Sequence, residues 1–309
     1  MKNRRSFIKK AGLGIVGASL IPNISLSNKK DVKITILHTN DMHSHIHPFK
    51  SGRNKGFGGM AQRATIIKKI REENEHVLLF DAGDIFQGTP YFNFYKGELE
   101  FKLMSAMHYD AATLGNHDFD NGLDGLKKQL PHANFPFLNA NYDFTETILK
   151  DTFNPYKIFK KDRIKIGVFG IGIELNGLVP EELYGKTKYR DPIKTANHYA
   201  QILKKKNCDL IICLSHLGFK YKNTEKVSDF MLAKKSKDID IIIGGHTHTF
   251  LKKAITINNN NNEKVIINQV GWGGINIGMI DINFSQNNTK KLVLNNSIFV
   301  KNKYKNMKT

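Results

Sequence analysis

The sequence is poor in cysteine: its 309 residues include only Cys208 and Cys213, with four residues between them. Two thiols cannot build a disulfide framework, so we do not expect bridges to hold this fold together. Cys213 lies inside the apolar run LIICLSH. We therefore interpret it as a buried thiol in a strand rather than as a bridge or a metal ligand.

Acidic residues are scarce as well, since 28 Asp and Glu stand against 47 Lys and Arg and give a formal net charge of +19. A dense positive field attracts polyanions. The lysines are spread along the whole chain, however, and the sequence has no basic platform with interleaved aromatic residues. We therefore expect no nucleic acid partner, and only a general attraction of anionic substrates.

The uncharged stretch AGLGIVGASLIP, at residues 11–22, is too short to span a bilayer comfortably. It follows NRRSFIKK and precedes the small-x-small sequence SLS. This segment resembles a twin-arginine export signal. It predicts a signal peptide over residues 1–27, a periplasmic or otherwise exported protein, and no transmembrane segment in the mature chain. A short buried N-terminal helix is the alternative.

Beyond residue 27, strand-like and helix-like segments alternate. Spaced apolar positions at 58–74, 122–130 and 192–206 predict helices between apolar runs. Such alternation favours a layered α/β domain, and we predict one domain over residues 28–309. The predicted strands lie at 33–40, 76–84, 111–118, 164–172, 209–218 and 239–248.

The last part of the chain contains strand-like segments without helices between them. Residues 264–284 and 291–300 show this pattern, and we expect them to form antiparallel hairpins at the end of the fold. The asparagine run at 258–262 is of low complexity and is predicted to be a solvent loop between two strands.

Five of the predicted strands end in residues that commonly bind metals. The carboxyl ends of strands in an α/β sheet line the crevice where ligands bind, so these side chains can meet although they are distant in sequence. Carboxylate oxygen, imidazole nitrogen and an amide carbonyl together suit two divalent ions. The residues are Asp41, His43, Asp84, Asn116, His117, His216, His246 and His248.

The motifs TNDMH, DAGD, GNHDFD, LSHLG and GGHTH occur in this order. They resemble the calcineurin-like metallophosphatase superfamily, specifically the catalytic N-terminal domain of the bacterial 5'-nucleotidase and UDP-sugar hydrolase family. The resemblance implies a four-layer α/β-β/α sandwich, in which two mixed sheets are flanked by helices. It also implies two divalent metal ions of the kinds Mn, Zn, Co, Fe or Mg.

The resemblance assigns a role to each residue of these motifs. It places Asp41, His43, Asp84 and His248 around one ion, and Asp84, Asn116, His216 and His246 around the other. His117 and Asp120 would form a catalytic pair, and Asp118 would be a supporting acid. The alternatives are a core histidine at 216 and a helix cap at Asp120. His248 departs from the nucleotidase branch, which often has Gln or Asn there.

The resemblance implies an exported dimetal phosphohydrolase that acts on nucleoside 5'-monophosphates or related small phosphoesters through a water activated by the ions. A thiosulfohydrolase-like enzyme of the same structural family is one alternative. Another is a subunit that depends on a separate polypeptide carrying the family's C-terminal substrate-binding domain, which this chain lacks. The segment IFQGTPYFNFY at 85–95 would contact such a partner, or else belong to the core or an ordinary loop.

Overall fold

The computed structural model describes residues 30–223 and 225–301. The chain divides into a unit of residues 1–30 and a unit of residues 31–309, and the description below concerns the second. The signal peptide predicted at residues 1–27 lies outside the described residues. Within the described part of the chain, no helix has the length and apolar character needed to cross a membrane.

Fourteen strands form within the described residues, and most of the predicted strand segments are among them. They are β1 (Val32–Thr39), β2 (Val77–Asp81), β3 (Ala111–Ala112), β4 (Tyr142–Asp143), β5 (Tyr156–Lys161), β6 (Ile164–Ile171), β7 (Lys188–Tyr189), β8 (Leu210–Ser215), β9 (Ile241–Gly244), β10 (Ile255–Asn258), β11 (Lys264–Asn268), β12 (Asn276–Phe284), β13 (Lys290–Leu294) and β14 (Ile298–Phe299).

Seven α-helices and two 3₁₀ turns connect the described strands. The α-helices are α1 (Met60–Glu73), α2 (Pro90–Tyr95), α3 (Glu98–Ala106), α4 (Gly122–Gln129), α5 (Glu181–Tyr184), α6 (Pro192–Lys205) and α7 (Asp229–Lys235). The 3₁₀ turns are His117–Phe119 and Leu130–His132.

The strands form two large mixed sheets and a small pair. The first sheet has the order β13-β12-β1-β2-β3, with β14 also on β12. In it β1, β2 and β3 are parallel, whereas β12 runs antiparallel to both β1 and β13. The second sheet has the order β10-β11-β9-β8-β6-β5, with four parallel strands between antiparallel edges. Strands β4 and β7 pair separately.

Alternate residues of the central strands face different layers of the core. On β1, Ile36 packs between the two sheets, and its neighbour Leu37 packs toward α1. On β8, Ile212 likewise faces the other sheet, and Cys213 faces the layer that contains α6 and α7. Strands covered on both faces become continuous apolar runs, as the sequence shows. The result is helix, sheet, sheet, helix, so the predicted four-layer sandwich is confirmed.

Helix α6 shows why the helical segments could be predicted from sequence. The Asp191 side chain accepts a hydrogen bond from the Lys194 backbone N–H at 2.9 Å, and Pro192 occupies the first turn. Both features favour a helix start. Ala196, Ala200 and Leu203 then repeat every three or four residues, and all are buried.

The end of the chain differs from the expected hairpins. Strands β11 and β12 lie in different sheets, because the segment between them turns through Gly271, Gly273 and Gly274, all with positive φ. The expected antiparallel pairing is found instead between β10 and β11, around the asparagine loop, and between β12 and β13. Both cysteines are free and buried, as predicted.

Candidate metal centre

The structure brings the motif residues of both sheets to one place. Ligand atoms of Asp41, His43, Asp84 and His248 all lie within 4.8 Å of one another. The same is true of Asp84, His216 and His246. Asp84 belongs to both groups, so the two groups form one centre at the carboxyl ends of β1, β2, β8 and β9.

Asn116 joins the second group through its side-chain oxygen. Its Oδ1 lies 2.8 Å from Nδ1 of His246. The residue stands directly before the 3₁₀ turn and is buried. The two groups therefore have the membership that the sequence resemblance implies.

The backbone at the centre adopts an uncommon conformation. Asp41, His43, Asp84, His246 and His248 have φ values of 50°, 46°, 57°, 71° and 51°. Non-glycine residues with positive φ are uncommon and carry a conformational cost of about 1 to 3 kcal/mol each. Five such residues in one cluster indicate that the surrounding fold imposes these conformations and so directs the side chains inward.

Gly115 is required by close packing rather than by φ. A Cβ atom at this position would overlap the Asp84 carboxylate and would lie 2.7 Å from His216 Cε1. The turn after β3 can therefore approach the centre only because residue 115 has no side chain.

We expect Gly115→Ala to abolish metal binding and to destabilise the protein by about 2 kcal/mol or more, because the methyl group displaces Asp84. Thermal unfolding with and without added Mn measures both effects. Gly177→Ala is the matched control, since its Cβ would meet no atom within 4 Å although its φ is +78°. A control that lost metal affinity as strongly would contradict the steric explanation.

The orientation of His216 fits a cation. Its Nδ1 lies 2.6 Å from the Ala82 carbonyl oxygen, which can only accept, so Nδ1 carries the hydrogen. The buried Nε2 has no hydrogen-bond partner, although it lies 3.0 Å from Asp84 Oδ2 and 3.9 Å from Asp41 Oδ1. A neutral imidazole would point a lone pair at two carboxylates, an arrangement that a bound cation stabilises.

The pKa shifts describe the same demand for positive charge. Burial lowers the pKa of His216, but Asp84 and Asp41 outweigh it and raise that pKa to about 10. Burial raises the pKa of Asp84, but His216 and His43 hold it below its ordinary range. Because a metal ion competes with the proton for Nε2, divalent cations suit these residues.

His43 and His248 face each other in the first group. Their Nε2 atoms are 3.0 Å apart, and His43 Nδ1 lies 3.3 Å from the Phe86 carbonyl oxygen. His248 Nε2 is also 3.4 Å from Asp41 Oδ1. The residue that departs from the nucleotidase pattern thus lies where the resemblance places a ligand.

His117 and Asp120 pair beside the centre. His117 Nδ1 lies 2.8 Å from Asp120 Oδ2, and the His117 ring is 5.2 Å from that of His43. Residues three apart lie on the same side of a 3₁₀ turn, which explains the pairing. The hydrogen bond to Asp120 raises the pKa of His117. Asp120 does not cap α4, whose N-cap residue is Asn121.

The family described as calcineurin-like phosphoesterase matches residues 34–250. This chain belongs to that family. The predicted family and the predicted enzyme class, a metal-dependent phosphoric ester hydrolase, are thereby confirmed. The matched span includes every residue of the centre described above.

Similar proteins include 5'-nucleotidases. The snake venom 5'-nucleotidase of Crotalus adamanteus is 40% identical over 228 residues, which cover 71% of this chain and 37% of the relative. The 5'-nucleotidase of Vibrio parahaemolyticus is 38% identical over 262 residues, or 79% and 46%. The 5'-nucleotidase precursor of Thermus thermophilus superposes with a TM-score of 0.78 at 28% identity, covering 86% and 54%. The chain thus spans about half the length of these proteins, or less.

Asp118 supports the centre of this phosphoesterase without entering it. Its carboxylate accepts hydrogen bonds from the backbone N–H groups of Asp84, Ile85, Phe86 and Gly115, at 2.8 to 3.2 Å. These bonds tie the turn after β2 to the turn after β3. The result agrees with the supporting role that was predicted.

Two residues near the phosphoesterase centre were missed by the sequence analysis. Asn40 donates to Asp41 Oδ2 at 2.6 Å and accepts from the Val270 N–H at 3.0 Å, so it orients a predicted ligand. The Trp272 ring lies parallel to that of His248, with centroids 5.7 Å apart. Trp272 carries the single indole of the chain, which was the available signal.

Proposed function

We propose that this phosphoesterase hydrolyses nucleoside 5'-monophosphates or related nucleotide phosphoesters with the help of two divalent ions. The observation that carries the proposal is the pair of ligand groups that share Asp84 and lie beside the His117–Asp120 pair. The nucleotide as substrate class is supported by the relatives, which are 5'-nucleotidases.

Each ligand group supplies the donors that one divalent ion prefers. Bound there, the ions would lower the pKa of a water nucleophile and neutralise charge on the phosphoryl oxygens. The carboxylates supply hard anionic oxygen, and the imidazoles supply neutral nitrogen. The proposed ligands of one ion are Asp41, His43, Asp84 and His248, and those of the other are Asp84, Asn116, His216 and His246.

His117 provides the acid of the proposed reaction. Asp120 accepts the Nδ1 hydrogen and raises the pKa of His117, so the ring is held in one orientation and in its protonated form. Its Nε2–H then donates to a phosphoryl oxygen, stabilises the charge there and passes a proton to the leaving oxygen. The 36% exposure of the His117 side chain lets a substrate approach from solvent.

Chelation tests the proposal directly. We expect the purified full chain to contain about two divalent ions, and treatment with EDTA to remove both the ions and the release of phosphate from AMP. Mn, Co, Zn or Mg added back should restore turnover on a panel of nucleotides. Sulfate release from a thiosulfonate in the same assay would indicate the thiosulfohydrolase alternative, and unaltered turnover without ions would contradict the proposal.

Export and a separate partner polypeptide also stay proposals. The twin-arginine pattern of residues 1–27 supports export to the periplasm or beyond, and fractionation of cells that express the full chain tests it. The relatives extend well beyond the matched part, which supports a substrate-binding domain on another polypeptide. A lower KM for AMP after addition of such a domain would support this second proposal.

A further inference from the structure

A groove lined by aromatic residues lies next to the metal centre. Its walls come from the segment 45–50, which follows His43 in the chain, and from α2 with the residue before it. The groove has a volume of about 870 Å³, within the range of small-molecule sites. The residues used below are His45, Phe49, Lys50, Thr89, Tyr91 and Tyr95.

Aromatic contacts connect this groove to a proposed metal ligand. Trp272 lies parallel to His248, and its ring centroid is 5.3 Å from that of Phe49 and 5.1 Å from that of His45. Phe49 and His45 stack on each other at 4.5 Å. The groove therefore begins two ring contacts away from the centre, which is close enough for one substrate to occupy both.

The backbone gives a second connection between groove and centre. His45 Nδ1 donates to the His43 carbonyl oxygen at 2.8 Å, and the Thr89 hydroxyl donates to the Ser44 carbonyl oxygen at 2.8 Å. His43 is one of the proposed ligands. Both walls of the groove are thus fixed to the segment that carries that ligand.

The lining selects the chemistry of the occupant. Aromatic faces dominate it, none of its residues is acidic, and Lys50 is exposed at its margin. Phe94 and Tyr95 are 81% and 50% exposed, a large aromatic area for a surface without a bound partner. Such a surface suits a flat, π-rich group, neutral or anionic, and each stacked base contributes about 1 to 3 kcal/mol in comparable sites.

We propose that this groove is the leaving-group subsite and that it takes the nucleobase of a nucleotide whose phosphate lies at the metal centre. The inference rests on the proposed nucleotide hydrolysis and adds the residues that would recognise the base. Tyr91 and Phe49 are the stacking residues that lie outside the ligand groups, so they determine specificity without holding metal.

Paired substrates with and without a base test the subsite. We expect Tyr91→Ala in the metal-loaded full chain to lower kcat/KM for AMP about tenfold or more, and to change that for ribose 5-phosphate less than twofold. Tyr91→Phe keeps the ring and should retain the AMP preference. Phe299→Ala removes an aromatic ring that is 62% exposed and does not line the groove, so it is the matched control.

An equal loss on both substrates, or no loss on either, would overturn the subsite. The second result is also what a groove occupied by another protein would give. Phe49→Ala repeats the comparison from the opposite wall if Tyr91→Ala fails to fold.

Adenosine binding separates this inference from the proposed function. Adenosine carries no phosphate, and the fluorescence of Trp272, the single tryptophan, reports on the rings that adjoin the groove. We expect a saturable change with excitation at 295 nm in the wild type, weakened in Tyr91→Ala. If adenosine binds but AMP is not hydrolysed, the nucleotidase proposal fails and the subsite stands. If AMP is hydrolysed but adenosine gives no saturable change, the subsite fails.

Discussion

Asp84→Asn is expected to lose both metal ions at once and to reduce phosphate release by about a thousandfold or more, since metal-ion charge stabilisation contributes several kcal/mol to such reactions. Asp84 is the residue common to the two ligand groups. An amide keeps the shape of the carboxylate but supplies no negative charge, so neither group keeps the affinity that a divalent ion requires.

Thermal unfolding with and without EDTA measures the loss in Asp84→Asn. Ions that bind only the folded state stabilise it, so chelation should lower the Tm of the wild type and leave that of the variant unchanged. His248→Ala is the matched control, because His248 belongs to one group only and its side chain is 39% exposed. It should lose one ion and keep the other. A variant at residue 84 that still held two ions would refute the shared ligand.

Buried parallel strands made much of the fold predictable. The run at 33–40 became Val32–Thr39, and the run at 164–172 became Ile164–Ile171. A strand covered on both faces must be apolar at nearly every position, so it stands out in a sequence of this composition. The helix at Pro192–Lys205 was equally clear, because a cap, a proline and a repeat of buried residues all agree there.

Other elements gave weaker signals. Helix α2 is short, and its aromatic residues alternate between buried Phe92 and exposed Phe94, so the segment 85–95 read as core or loop. The exchange of sheets between β11 and β12 depends on three glycines with positive φ, which sequence alone does not distinguish from an ordinary turn.

The membership of the metal centre was predictable from motif order, but its geometry was not. Residue types at strand ends indicated which side chains could meet. Nothing in the letters DMH shows that Asp41 and His43 have positive φ, or that Asn40 holds the Asp41 carboxylate. Such conformations are imposed by the surrounding layers, and they become visible only when the layers are assembled.

The sequence NHDFD illustrates how five adjacent residues serve different purposes. Asn116 contacts His246, and His117 pairs with Asp120. Asp118 accepts backbone N–H groups, and Phe119 is buried in the core. Because these residues form a 3₁₀ turn, their side chains point to different neighbours. The polarity of this short segment is therefore explained by the centre and its support.

His117→Ala is expected to keep both ions but to lower kcat on AMP by about a hundredfold to ten thousandfold, which is the usual contribution of a positioned general acid. His117 is in neither ligand group, and its ring faces the centre from the solvent side. Metal stoichiometry and the Tm shift on chelation should therefore match the wild type. This separates the variant from Asp84→Asn, which loses both.

The dependence on leaving group distinguishes proton donation by His117 from a purely structural role. 4-Nitrophenol leaves as an anion without needing a proton, so His117→Ala should lower kcat for 4-nitrophenyl phosphate much less than kcat for AMP. Asp120→Asn should show the same preference in a milder form, because the amide still holds the ring at 2.8 Å but no longer stabilises its charge. Equal losses on both substrates would leave His117 as a phosphate contact and would place the proton donor elsewhere.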